Sequence, residues 1–163
     1  MEPVNQEDVE WIEREKEEYA VRRQRLAAAA GGEELGCSRY VLPPGNRAWP
    51  YHYHTGNEEA LYVLSGSGSL RVGDDAESTA HPLTGGDYVA FPAGPDSAHR
   101  VENTGERPLR FLVMSTMNDP DVTVYPDSGK IGVYAGSPPG GRAERSVEGY
   151  YRRDDAVSYW EGE

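Results

Sequence analysis

The chain has 163 residues, near the commonest size for one compact domain, with 37% hydrophobic residues and only 2 Phe, so its core must lean on Val, Leu and the 11 Tyr. Its 28 acidic against 16 basic residues leave a formal net charge of −12, which repels phosphate backbones, and no basic cluster interleaved with aromatics offsets it, so nucleic-acid binding is excluded. The single Cys37 has no partner for an internal disulfide, no apolar run reaches membrane length and nothing near Met1 has the form of a signal peptide; the expectation is a cytoplasmic protein with no membrane attachment.

Residues 6 to about 29 read as a helix. Asn5 stands as its N-cap, acidic residues gather early, Arg22, Arg23 and Arg25 come late, and Gly31-Gly32 stops it. The apolar stripe of Val9, Ile12, Tyr19 and Leu26 is thin and is broken by Lys16 and Arg23, so this N-terminal helical arm, residues 1–32, is expected to lie on the rest of the protein or on a partner subunit. From Leu35 the pattern turns to short β segments: Ser38-Leu42, Tyr51-His54, Glu59-Leu64, Ser69-Val72, Asp87-Phe91, His99-Glu102 and Leu109-Thr116. Turns at Pro43-Pro44-Gly45, Gly66-Ser-Gly68, Gly73-Asp-Asp75, Gly85-Gly86 and Thr104-Gly105 separate them. That cadence, with 19 Gly and 12 Pro, predicts an all-β sandwich or closed barrel over residues 33–117. In the C-terminal extension, residues 118–163, a further hairpin is expected from Asp121-Tyr125 and Lys130-Tyr134. The rest reads as loosely structured, with Tyr150, Tyr151, Tyr159 and Trp160 as docking points.

Three of the 4 histidines carry the chemistry. On an extended strand, side chains at i and i+2 face the same way, so His52 and His54 can aim two imidazoles at one point. Glu59 can add an anionic oxygen and His99, from another strand, a third nitrogen, a donor set suited to a divalent transition ion. Strand phase groups Glu59 with Leu61 and Val63 on one face. Glu58, on the other, is then a solvated neighbour or an acceptor steadying a ligand imidazole.

The glycines and prolines around these residues carry a resemblance. The stretch from Gly45 through His52, His54 and Glu59 to Gly66 resembles the first motif of the cupin superfamily. The stretch Gly86, Pro92, Gly94, His99, Asn103 resembles the second. The loops before His52 and His99 are longer than the family pattern, and turns tolerate such insertions. Tyr51 to Glu59 and Tyr125 to Lys130, with the N-terminal segment, look like a group of small bacterial and archaeal cupins of largely uncharacterised function.

The resemblance implies a double-stranded β-helix, or jelly-roll barrel. It implies one divalent transition metal (Mn, Fe, Ni or Zn) on His52, His54, Glu59 and His99, a small-molecule ligand or substrate, and a homodimer. A four-ligand set on an octahedral ion leaves about two open positions, which adjacent oxygens of a small metabolite can fill. The expected function is therefore a metal-dependent enzyme of dioxygenase, isomerase or lyase type; the alternative is a sensor or binding module with a structural metal. No general base can be named. Gly66-Ser-Gly68 lacks the Lys and helix of a phosphate loop, His81 reads as an exposed turn residue, Asp87 and Asp96 as turn formers, and Ser65, Ser97 and Ser115 as serines without a base.

Overall fold

The computed structural model describes residues 2–73, 78–141 and 143–163. Its strands are β1 (Ile12–Lys16), β2 (Tyr19–Gln24), β3 (Leu35–Leu42), β4 (Tyr53–His54), β5 (Glu59–Ser65), β6 (Ser67–Val72), β7 (Thr79–Thr84), β8 (Tyr88–Phe91), β9 (His99–Glu102), β10 (Leu109–Thr116), β11 (Asp121–Tyr125), β12 (Lys130–Ala135) and β13 (Val147–Arg152). One short helix, α1 (Leu26–Ala29), joins β2 to β3. The sheets run β1-β2-β3-β10-β5-β8, β13-β12-β11-β4 and β7-β6-β9. A bridge between His52 and His99, made by two backbone hydrogen bonds of 3.2 and 2.8 Å, ties the β4 end of the second sheet to β9 of the third. The result is the expected all-β jelly roll. Among the described residues no helix is long and apolar enough to cross a membrane.

Alternation places the core. In β5, Leu61 and Val63 are fully buried while Tyr62 and Leu64 are exposed, as the phase of Glu59 requires. Leu42, Leu109 and Phe111, from the neighbouring strands β3 and β10, complete this layer, and Tyr40 stacks on Phe111 with ring centroids 5.3 Å apart. Two glycines fix where these strands turn. Gly66 has φ +93, and a Cβ there would lie 2.7 Å from Pro108 O; at Gly68 it would lie 2.5 Å from Glu102 O.

The N-terminal helix expected over residues 6–29 is not formed. Asn5 does cap a turn, its side chain accepting from the Glu7 amide, but that turn ends at Asp8. β1 and β2 then make a hairpin across Glu17, whose φ is 55, and β2 joins the sheet by pairing Arg23 with Tyr40. The broken stripe explains the outcome. Lys16 and Arg23 leave a helix no continuous apolar face, whereas edge pairing with β3 satisfies the backbone and buries Val21 and Gln24.

The tail is also more ordered than expected, because β13 pairs with β12 along its whole length. Tyr150 docks through its hydroxyl on Tyr134 at 3.0 Å, while Tyr151, Tyr159 and Trp160 stay exposed. β7 forms where a connection was expected. His81 is exposed as anticipated but lies on that edge strand, and Pro82 is tolerated there because β7 pairs on one side only. The turn expected at Gly73-Asp-Asp75 lies, past Gly73, outside the described residues.

Candidate metal centre

The four residues singled out by spacing converge. Glu59 opens β5, His99 opens β9, and His52 and His54 flank the start of β4. Glu59 Oε2 lies 3.4 Å from His54 Nε2, 3.5 Å from His99 Nε2 and 4.0 Å from His52 Nε2. His52, Glu59 and His99 have donor atoms that all lie within 4.8 Å of one another; His54 falls outside that group, although its Nε2 is the nitrogen nearest Glu59 Oε2. Transition ions bind imidazole nitrogen and carboxylate oxygen at about 2.0–2.2 Å, so two donors to one ion stand no more than roughly 4.4 Å apart. All three separations from Glu59 meet that bound.

The outer nitrogens orient the set. His52 Nδ1 is 2.9 Å from Pro50 O, His99 Nδ1 is 3.1 Å from Ser97 O, and His54 Nδ1 is 2.5 Å from Asp121 Oδ2. Carbonyl and carboxylate oxygens only accept, so each Nδ1 carries the proton and each Nε2 presents its lone pair. His99 Nε2 is buried and has no hydrogen-bond partner, an arrangement that costs about 1–3 kcal/mol unless a cation takes the lone pair. His99 is held in place by Phe91, stacked on it at 3.8 Å with planes 8° apart, and by Trp49, which meets both His99 and His52 edge-on at 6.1 Å.

Burial sets the charge states. It pushes the His99 imidazole down from 6.5 to about 3 and the His52 imidazole well below its ordinary value, helped for His52 by its histidine neighbours. Both are neutral at neutral pH, the form that binds a metal. Burial also pushes His54 down, but the hydrogen bond it donates to Asp121 and the charges of Glu59 and Asp121 outweigh it and leave that imidazole raised. The Glu59 carboxyl is raised by burial, with His54 and Arg23 pulling the other way.

Asp121 escaped the sequence reading. Its carboxylate is inaccessible, and besides His54 it accepts the Gly56 amide at 3.2 Å. Asp121-Val-Thr-Val-Tyr125 alternates polar with apolar, which suggests the valines point inward. Asp121 and Thr123 are almost fully buried, more so than Val124 at 8% exposure, Thr123 Oγ1 lies 3.2 Å from His54 Nδ1, and Tyr125 stacks on His52 at 5.9 Å. A polar face turned inward at a strand that pairs with the His-x-His strand is the signal that was available. Glu58, by contrast, is exposed, the solvated neighbour of the two roles open to it. Ser97 is a turn former, its hydroxyl on Gly94 O at 2.9 Å, and the residues added before His99 are taken up by the 3-10 turn Pro95–Ser97. Asp87 caps its turn through the Thr84 amide at 2.7 Å.

A cavity of about 410 Å³ opens over this cluster, lined by His52, His54 and Glu59 and walled by Trp49, Tyr125 and Tyr134. A second, of about 540 Å³, reaches Glu59 from the side of Cys37 and Met117 and shares Arg23 and Tyr40 with the first.

A jelly roll with three imidazoles and a carboxylate gathered in this way defines a class of barrel that can hold one metal ion. Residues 38–115 match the family model described as the cupin domain. Among solved structures, the chain is similar to a candidate sugar phosphate isomerase of Acidithiobacillus ferrooxidans, 29% identical with TM-score 0.71 over 85% of this chain and 80% of that one. It also shares the fold of a sugar phosphate isomerase of Silicibacter pomeroyi, 24% identical with TM-score 0.76 over 96% of each chain. Protein SchB of Streptomyces halstedii is 35% identical over 72 residues, 44% of this chain and 47% of that protein. The chain spans about half the length of the curated relatives it matches.

Proposed function

We propose that the chain is a metal-dependent enzyme that holds one divalent transition ion on His52, His54, Glu59 and His99 and isomerises a small, oxygen-rich metabolite. One observation carries the metal reading: all three Nδ1 protons are spent on oxygen acceptors, so three Nε2 lone pairs are left facing one carboxylate oxygen. A bound ion supplies Lewis acidity toward adjacent carbonyl and hydroxyl oxygens. Among Mn, Fe, Ni and Zn, this mixed nitrogen and oxygen set suits each, and metal availability decides.

The protein's own residues do the remaining work. Asp121 keeps the His54 proton on Nδ1, and Trp49 and Phe91 exclude water from the His99 side. The Tyr125 hydroxyl, raised to about 12 mainly by burial, keeps its proton at neutral pH and can donate it in a hydrogen bond to a substrate oxygen. The isomerase reading draws its support from the Acidithiobacillus relative, whose name carries that activity.

Elemental analysis of protein purified without a metal-affinity tag tests the first part; about one ion per chain is expected, and its loss in His99→Gln and Glu59→Gln. Solvent deuterium entering a carbon-bound position of aldose or ketose substrates tests the second. Oxygen uptake in its place would move the reaction to a dioxygenase.

A further inference from the structure

The cavity over the cluster is walled on two sides by segments outside the cupin domain match, and these bring cations. Arg14 and Arg23 come from the β1–β2 hairpin, Lys130 from the start of β12 and Arg145 from the segment before β13. The only carboxylates in the same lining are Glu59 and Glu148. Glu148 is taken up by Arg145 at 2.6 Å, and Glu59 faces the imidazoles. Arg14, Arg23 and Lys130 therefore remain. In a chain of net charge −12, three cations with no carboxylate at ion-pair distance among the described residues, gathered around one cavity, mark a place built for negative charge.

Arg23 is the most strongly placed of the three. Its Nε and Nη2 donate to the Ser38 hydroxyl at 3.0 and 2.9 Å, and its guanidinium stands 5.4 Å from the Tyr40 ring centroid. A neutral hydroxyl fixes the group without cancelling its charge and leaves its other donors open. Gly140 makes room for it, since a Cβ there would meet Arg23 Nη2 at 3.0 Å. Lys130 Nζ, which lines the same cavity, lies 4.9 Å from the centroid of the Tyr125 ring, which itself stacks on His52.

We propose that Arg23, with Arg14 and Lys130, forms an anion subsite that takes the phosphate of a phosphorylated small metabolite whose vicinal oxygens face His52, His54 and Glu59. The proposal deepens the metal-dependent reading and rests on it for the second half of the ligand. Three cations from separate segments around one cavity suit a tetrahedral dianion, which offers acceptors in several directions, better than a planar carboxylate. The volume, about 410 Å³, suits a small metabolite.

The test is calorimetric titration with glycerol 3-phosphate, inorganic phosphate and uncharged glycerol, on the protein as purified and after chelator treatment, for wild type, Arg23→Gln and the double variant Arg14→Gln/Lys130→Gln. Loss of a charge-assisted contact is expected to weaken glycerol 3-phosphate binding roughly 10-fold or more in Arg23→Gln, and glycerol should bind far more weakly than its phosphate in wild type. Inorganic phosphate should still bind after chelation, in an Arg23-dependent way. If Arg23→Gln does not fold, as judged by its melting curve, the double variant on the rim decides. Equal affinity in wild type and variants, or equal affinity for glycerol and its phosphate, would overturn the subsite. Arg23-dependent binding in a protein that holds no ion as purified and takes up none when divalent metals are added back would leave the subsite standing and sink the metal reading alone.

Discussion

Asp121 Oδ2 sits 2.5 Å from His54 Nδ1, and through this pair a strand beyond the matched cupin domain holds a member of the central cluster. The carboxylate fixes the imidazole's tautomer and makes its Nε2 a better donor. Asp121→Asn keeps an acceptor but loses the charge, and Asp121→Ala loses both. Metal affinity, read by competition with a chromophoric chelator, should fall by roughly 10–100-fold, more in the Ala variant. Affinity unchanged in both would show that His54 is not a ligand.

Acid should destabilise the metal-free protein over a defined window. His52 and His99 have pKa values depressed on folding, that of His99 from 6.5 to about 3, so in this range the unfolded chain binds more protons than the folded one. Stability therefore rises with pH through the window and flattens above it. His54, with a raised value, contributes in the opposite sense: its part is present at low pH and is lost as pH rises through its folded value. The Glu59 carboxyl, raised by burial, acts in the same sense as His54, while Asp121, pushed up by burial but held lower by His54, adds to the rise. Urea midpoints between about pH 4 and 8 should show the rise, and His99→Gln should flatten it.

Gln24 is the tie that holds the N-terminal segment to the sheet. It is 2% exposed; its amide donates to Gln6 O at 2.6 Å and Val9 O at 2.7 Å and accepts from Arg39 at 2.9 Å. Gln24→Ala removes these three part-buried hydrogen bonds and should cost about 1–3 kcal/mol. Faster proteolysis within residues 2–11, with the barrel intact, is the expected signature.

Gly66 closes the first motif for a steric reason. With φ +93 and Pro108 O 2.7 Å from any added Cβ, Gly66→Ala must move backbone, at a cost of about 1–3 kcal/mol. Phe111→Ala, which empties the centre of the core, should cost about 3–5 kcal/mol. Denaturant midpoints check both.

The barrel and the central cluster were legible because they rest on local rules. Strand phase placed Glu59 with Leu61 and Val63, and i, i+2 geometry aimed His52 and His54 together. The segment before Leu35 was misread because its end signals are helical while its partner, β3, lies in distant sequence; pairing of Arg23 with Tyr40 outweighed local preference. Asp121 stayed hidden for a similar reason. A polar residue at a strand start reads as solvated until the strand it pairs with is known to carry His54.

Both flanks of the matched domain thus line the same opening, through the β1–β2 hairpin and through β11 to β13. Entrance and centre are drawn from different stretches of chain, so a substitution at either end can reshape what enters without touching His52, Glu59 or His99.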